Sequence, residues 1–134
     1  MKKVFLLIFL AVLILPTVLA INLGVSTSSI NVVMIKDVNE PAVFDLQVEN
    51  SGSSDSFKFY NLLGFGMLPE EEVSISHGET KNVALKIYPR SDLSYTGHYI
   101  LNYIIKGQSG DSQEESVNFK IINLEDAFEV GASE

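Results

Sequence analysis

Apolar residues recur at every second position in three separate stretches of this chain, and a period of two admits few folds. Between residues 41 and 50, Phe44, Leu46 and Val48 alternate with Asp45, Gln47 and Glu49. Residues 81–88 repeat the pattern, with Val83, Leu85 and Ile87 opposed to Asn82, Ala84 and Lys86. Residues 116–122 do so again through Val117, Phe119 and Ile121 against Ser116, Asn118 and Lys120. An α-helix repeats every 3.6 residues and would scatter these side chains around its circumference. A strand collects them on one face. Each run therefore reads as a strand with one face on a core and one in water, the mark of an antiparallel sheet.

Shorter signals complete the set. Phe57 and Phe59 alternate with Lys58 and Tyr60, and further strands are expected within residues 30–36 and 71–76. Residues 98–106 differ, because Tyr99, Leu101, Tyr103 and Ile105 form one face while Ile100 and Ile104 sit on the other. That strand is either central and covered on both sides, for instance by segment 62–68, or it exposes an apolar patch. Tyr60 and Tyr88 are candidate neighbours of that patch. Pro41, Pro69 and Pro89 fall at strand boundaries, where a missing N–H is tolerated. Clusters at residues 50–55, 76–79 and 107–111 carry turn chemistry. The count is seven strands, which predicts an all-β, seven-stranded antiparallel immunoglobulin-like sandwich over residues 21–122. Helical turns are expected only around residues 62–68 and in the tail. Residues 123–134 are acidic and lack the period of two, and read as a loose tail or linker.

The first 20 residues follow different rules. Lys2 and Lys3 precede an unbroken apolar run from Val4 to Leu15, then Pro16, Thr17 and Val18-Leu19-Ala20. This is the layout of a signal peptide cleaved after Ala20. The competing reading is a retained N-terminal hydrophobic helix, an anchor near the lower length limit for spanning and interrupted by Pro16. Both readings export the body, and membrane contact is expected only through residues 1–20 if they are uncleaved. The net charge is −8 and the leader's charges are two lysines, so the body carries −10. That balance argues against nucleic acid or an anionic membrane surface as a partner. The 134 residues contain no cysteine and no tryptophan. A disulfide pin, a thiol nucleophile and a thiolate metal site are thereby excluded.

Four segments carry a family resemblance. AVFDLQVENSGSSDSFKF (residues 42–59) joins a strand, an Asn-x-Gly turn and a second strand. VSISHGETKNVALKIYP (residues 73–89) joins a short strand, a Gly-Glu turn and an alternating strand. TGHYILNYIIKG (residues 96–107) holds a Gly-x-Tyr-x-Leu strand, and LGVSTSSINV, beginning at Leu23, forms the opening. Together they resemble the NEW3 and related surface-layer-type modules, immunoglobulin-like domains of exported bacterial and archaeal proteins. The resemblance implies an accessory or repeated module of surface proteins, or a companion of glycoside hydrolase domains. The overall layout, a hydrophobic N-terminal segment before an external sandwich, also resembles the archaellum stator proteins.

Chemistry is sparse. His77 and His98 are isolated, with no paired-histidine spacing. Gly64-Phe65-Gly66 lacks the further glycine and lysine of a phosphate loop, and no serine sits in a nucleophile elbow. Glu70-Glu71-Glu72 and Asp37-Val38-Asn39-Glu40 offer oxygens, but without calcium-loop spacing they read as solvated strand ends. No asparagine meets the glycosylation sequon. The expectation is a non-enzymatic exported module with no catalytic residue, cofactor or metal, serving structure, adhesion or assembly at the cell envelope. Its partners would be other envelope or surface proteins. The candidate interaction surface is Phe65, Met67, Ile100 and Ile104, the first two from the apolar segment 61–72, which either caps the sandwich or presents a greasy contact. Carbohydrate is the alternative ligand class, resting on tyrosines such as Tyr60, Tyr88 and Tyr95.

Overall fold

The alternating segments pair into two sheets in the computed structural model, which describes residues 21–131. The leader, expected as a signal peptide or anchor helix, lies outside the described residues. One sheet has four strands in the order β1 (Leu23–Asn31), β3 (Ala42–Asn50), β7 (Thr80–Tyr88), β5 (Gly66–Leu68). The other has five, in the order β2 (Val33–Ile35), β9 (Ser112–Ile122), β8 (Gly97–Gly107), β4 (Asp55–Tyr60), β6 (Val73–Ile75). The core lies between them. Phe44, Leu46, Val83, Leu85 and Ile87 from the first sheet meet Phe57, Phe59, Leu101, Ile105, Val117, Phe119 and Ile121 from the second. All belong to one buried cluster, the outcome that period-two alternation dictates for a sandwich.

The structure corrects the expected count: the described residues form nine strands, not seven. The N-terminal strand, expected within residues 30–36, is two strands belonging to different sheets. The register of β1 on β3 slips between Ser29 and Asn31, and the chain then crosses over. Asn31 holds the crossing, its amide donating to the Pro41 carbonyl (3.1 Å) and its side-chain oxygen accepting from the Val33 N–H (3.0 Å). The ninth strand, β5, is three residues long and pairs with β7, too short for periodicity to reveal. The sandwich is also not wholly antiparallel, since β2 runs parallel to β9. That pairing follows from the crossing, which delivers β2 to the edge of the second sheet already pointing along β9.

Leu124–Gly131 form a helix, α1, within the acidic tail, where helical turns were expected. Its start is held from outside by the Asp37 carboxylate, which accepts the Leu124 N–H at 2.8 Å, and from within by Asp126, which accepts the Asn123 N–H. Carboxylates at a helix N-terminus satisfy free N–H groups and suit the dipole there. Asp37 lies 87 positions away in sequence, so no local pattern could reveal it.

Two buried polar groups have opposite circumstances. Asn50, 1% exposed, donates to the Ser53 carbonyl (2.8 Å) and the Ile75 carbonyl (2.9 Å) and accepts from the Gly52 N–H (3.0 Å). It ties the end of β3 to its turn and to β6. Tyr103 is fully buried, and its hydroxyl lies near Thr27 without a hydrogen bond of ordinary geometry. Burial first, and then the negative charge of Glu115, push its ionisation well above the usual tyrosine range.

Asn50→Ala leaves the buried Ile75 carbonyl without its donor and releases the Ser53 carbonyl and Gly52 N–H, and should cost about 2–4 kcal/mol. Chemical denaturation of the variant beside the parent chain measures it. For Tyr103, the unfolded chain releases its proton near pH 10 while the folded chain keeps it. The folded state then binds more protons, so stability falls as pH rises above about 10. Tyr103→Phe should remove that part of the alkaline loss and leave neutral-pH stability within about 1 kcal/mol of the parent. Denaturation midpoints across the alkaline range test both statements.

Candidate interaction surface

The structure divides the four residues expected at the interaction surface into two pairs, Ile100 with Ile104 on β8, and Phe65 with Met67 beside a cleft that Lys58 and Tyr60 also line. Ile100 and Ile104 lie on the outward side of β8, and Ile100 is 66% exposed. Among the described residues neither segment 62–68 nor a helix covers Ile100, so its strand is central in the sheet yet open there on its outer face. Phe65 is 5% exposed and belongs to the core, and Met67 packs against that core half-buried. Segment 61–72 thus resolves into a cap through Phe65, while Leu62, at 78%, and Leu63 face solvent. Tyr60 does neighbour the patch, directly opposite Ile104. Tyr88 does not: it lies in the other sheet, across from Gly66.

The cap has its own logic. Asn61 templates the turn, accepting the N–H groups of Leu63 (3.0 Å) and Phe65 (3.2 Å) and donating to the Phe65 carbonyl (2.8 Å). The Phe65 ring then lies against Tyr99 and edge-on to Phe119, with centroids 5.3 and 6.1 Å away. Arg90 closes the arrangement from outside. Its guanidinium sits 5.6 Å from the Phe65 ring centre, donates to the Leu63 carbonyl (2.8 Å), and has Asp92 3.2 Å from its Nε. Nothing in the local sequence pattern singles out Arg90, because its role depends on a loop 27 positions earlier.

Around Ile100, Ile104 and Tyr60, the outward face of β4, β8 and β9 carries Lys58, Lys106 and Lys120. Lys58 and Lys106 stand directly opposite each other, and His98 stands opposite Lys120. Glu114 is the one acidic residue among these outward positions, and Asn102 donates to its carboxylate at 2.7 Å. The face therefore carries two net positive charges on a body of −10. Like charges directly across a ladder repel, a cost with no compensation from any ion pair to these lysines among the described residues. The lysines were legible as outward-facing. Their convergence was not, because strand order decides it.

Other sites are less suggestive of binding. A cleft of about 440 Å³ at one end of the sandwich is lined by Ile21, Asn50, Asp55, Phe57 and Gln108, among others. There, burial works against the ionised Asp55. The N–H groups of Ser109 and Ser56 outweigh it and hold the carboxyl below its usual range. Asp55 thereby organises the turn after β8. Among the described residues no cluster of three or more metal-ligating side chains occurs, and no helix is long and apolar enough to cross a membrane.

Among solved structures the chain is similar to a FixG-related protein from Vibrio parahaemolyticus, with a TM-score of 0.59 at 14% identity, covering 74% of this chain and 95% of that one. A looser likeness, TM-score 0.45 at 10% identity, is to the periplasmic chaperone SfaE, covering 75% and 57% respectively. No known protein family and no curated protein matches the sequence. At this identity what is shared is the fold, a β-sandwich.

The contrast between Ile100 and Phe65 is measurable. Ile100→Ser should change stability by no more than about 0.5 kcal/mol, as for other open surface positions. Phe65→Ala should cost about 3–5 kcal/mol, the range for an aromatic removed from a core. Thermal unfolding of the two variants against the parent chain decides whether the cap and the patch are as distinct as their burial indicates.

Proposed function

We propose that this chain is a non-enzymatic, exported immunoglobulin-like module that serves structure, adhesion or assembly at the cell envelope. It does so by docking an acidic protein surface on the outward face of β4, β8 and β9. The carrying observation is exposed Ile100, with half-buried Ile104 and Tyr60 on the same outward face, flanked by Lys58, Lys106 and Lys120 on an otherwise acidic body. An apolar centre gives affinity when desolvated, and a charged rim gives orientation and encounter rate. The opposed lysines are tolerable if a partner carboxylate lies between them. Export is supported by the basic start and apolar run of residues 1–20. The resemblance of the strand and turn motifs to surface-layer-type modules supports the envelope setting.

A photo-crosslinking residue placed at Ile100 in the producing cells should form an adduct with another envelope protein, and the same residue at Ala84, exposed on the other sheet, should not. Lys58→Glu with Lys106→Glu should abolish the adduct. Equal yields at both positions, or no effect of the charge reversal, would overturn the reading. Mass spectrometry of the native N-terminus separates a released module, beginning at Ile21, from a tethered one that retains Met1.

A further inference from the structure

The sandwich has four sheet edges among the described residues, and three of them, β2, β5 and β6, are three residues long. The fourth, β1, runs for nine residues and is exposed over most of its length. Proteins commonly blunt such an edge with lysine, proline or an inward charge. β1 has none of these, and no charged residue occurs anywhere from Ile21 to Ile35. On a chain this acidic, a long uncharged edge is the exception. We infer that β1 is a self-pairing edge, at which a second copy of this chain adds antiparallel to continue the four-stranded sheet.

The backbone phase specifies the pairing. Asn22 accepts from the Ser51 N–H at 2.9 Å, and Asn50, opposite Leu23, bonds away from β1 to the Glu79 carbonyl. Alternation then turns the polar groups of Gly24, Ser26 and Ser28 toward β3 and those of Leu23, Val25, Thr27 and Ser29 toward open solvent. The Leu23 carbonyl takes a bond from the Gln113 amide at 3.2 Å, as this phase requires, so that position is already closed. Val25, Thr27 and Ser29 remain. A two-fold axis through Thr27 sets Val25 opposite Ser29 of the second copy and Thr27 opposite its own equivalent. The outward N–H and C=O groups of all three residues are then satisfied in both copies. The same register places Ser26 opposite Ser28 and lays Ile30, 67% exposed, over Gly24, which has no side chain to resist it. The register slip after Ser29 ends the pairable stretch at Ile30. In a two-fold pair a charged residue at the centre would meet its own charge, and this strand carries none.

The absence of cysteine makes the test direct. A single Thr27→Cys in the full chain should cross-link to itself when oxidant is added to cells producing it. Residues paired in this way have Cα atoms about 5.5 Å apart, within disulfide reach. Asn82→Cys, on the exposed outer face of the same sheet, is the control and should give at least several-fold less dimer. On the Thr27→Cys background, Ser26→Lys with Ser28→Lys should suppress the cross-link several-fold. Ser26→Lys with Ser28→Glu should restore it, because the new opposite charges then face each other. Dimer no greater than the Asn82→Cys control, or equal behaviour of the two charge combinations, would overturn the inference. Should Thr27→Cys fail to accumulate, sedimentation velocity of the full chain in mild detergent gives a second measurement. A species that stays monomeric at every concentration, with or without the serine substitutions, would be equally decisive.

Discussion

Contact between the inner faces of two sheets is the constraint on which the other features depend. No disulfide crosses the sandwich, so the sheets stay together only because Phe44, Leu46, Leu85 and Ile87 are withdrawn from water against Leu101, Ile105, Phe119 and Ile121. Burial of apolar area is non-directional and does not by itself choose a partner. Register has to come from the pleat. Shifting any of these strands by one residue would turn its apolar set outward and its charged set inward, so alternation specifies both the core and the pairing.

The corners of the sandwich use a second device. Asn31, Asn50 and Asn61 each hold a change of direction with a side-chain amide that both donates and accepts. An asparagine can imitate a peptide group, which satisfies backbone atoms that the sheets leave unpaired at a turn. Asn31 moves the chain from one sheet to the other, Asn50 joins a turn to the strand across from it, and Asn61 folds Phe65 down as a lid. Arg90 then covers the lid, combining a carbonyl hydrogen bond with the face of the ring. Charge contributes to the fold mainly at these ends and not in the core.

The exterior is where function has to be sought, and it is uneven. Most of the body is acidic, yet one sheet face gathers three lysines around exposed isoleucine, and one edge is long and uncharged. Neither feature is needed for stability: opposed lysines cost free energy, and an open edge leaves hydrogen bonds to water. They are the two surfaces proposed above to meet other proteins, and they lie on different sheets, so that one does not block the other.

Much of the fold was legible from the sequence, because a period of two is a local property that each strand carries within itself. Residues 41–50, 81–88 and 116–122 declare their inner and outer faces without reference to any neighbour. The apolar run near the start and the absence of cysteine are likewise plain from the residues alone. The three-residue β5, the parallel entry of β2 and the hold of Asp37 on the tail helix were not legible, since each depends on a partner distant in the chain. The same reason governs the surface. That Ile100, Lys58, Lys106 and Lys120 point outward was written in the alternation, and so was the lack of charge around Thr27. That β4, β8 and β9 lie side by side, that Phe65 turns inward, and that β1 is left at an edge were decided only by tertiary structure, because strand order is set by which sheet faces can close on one another.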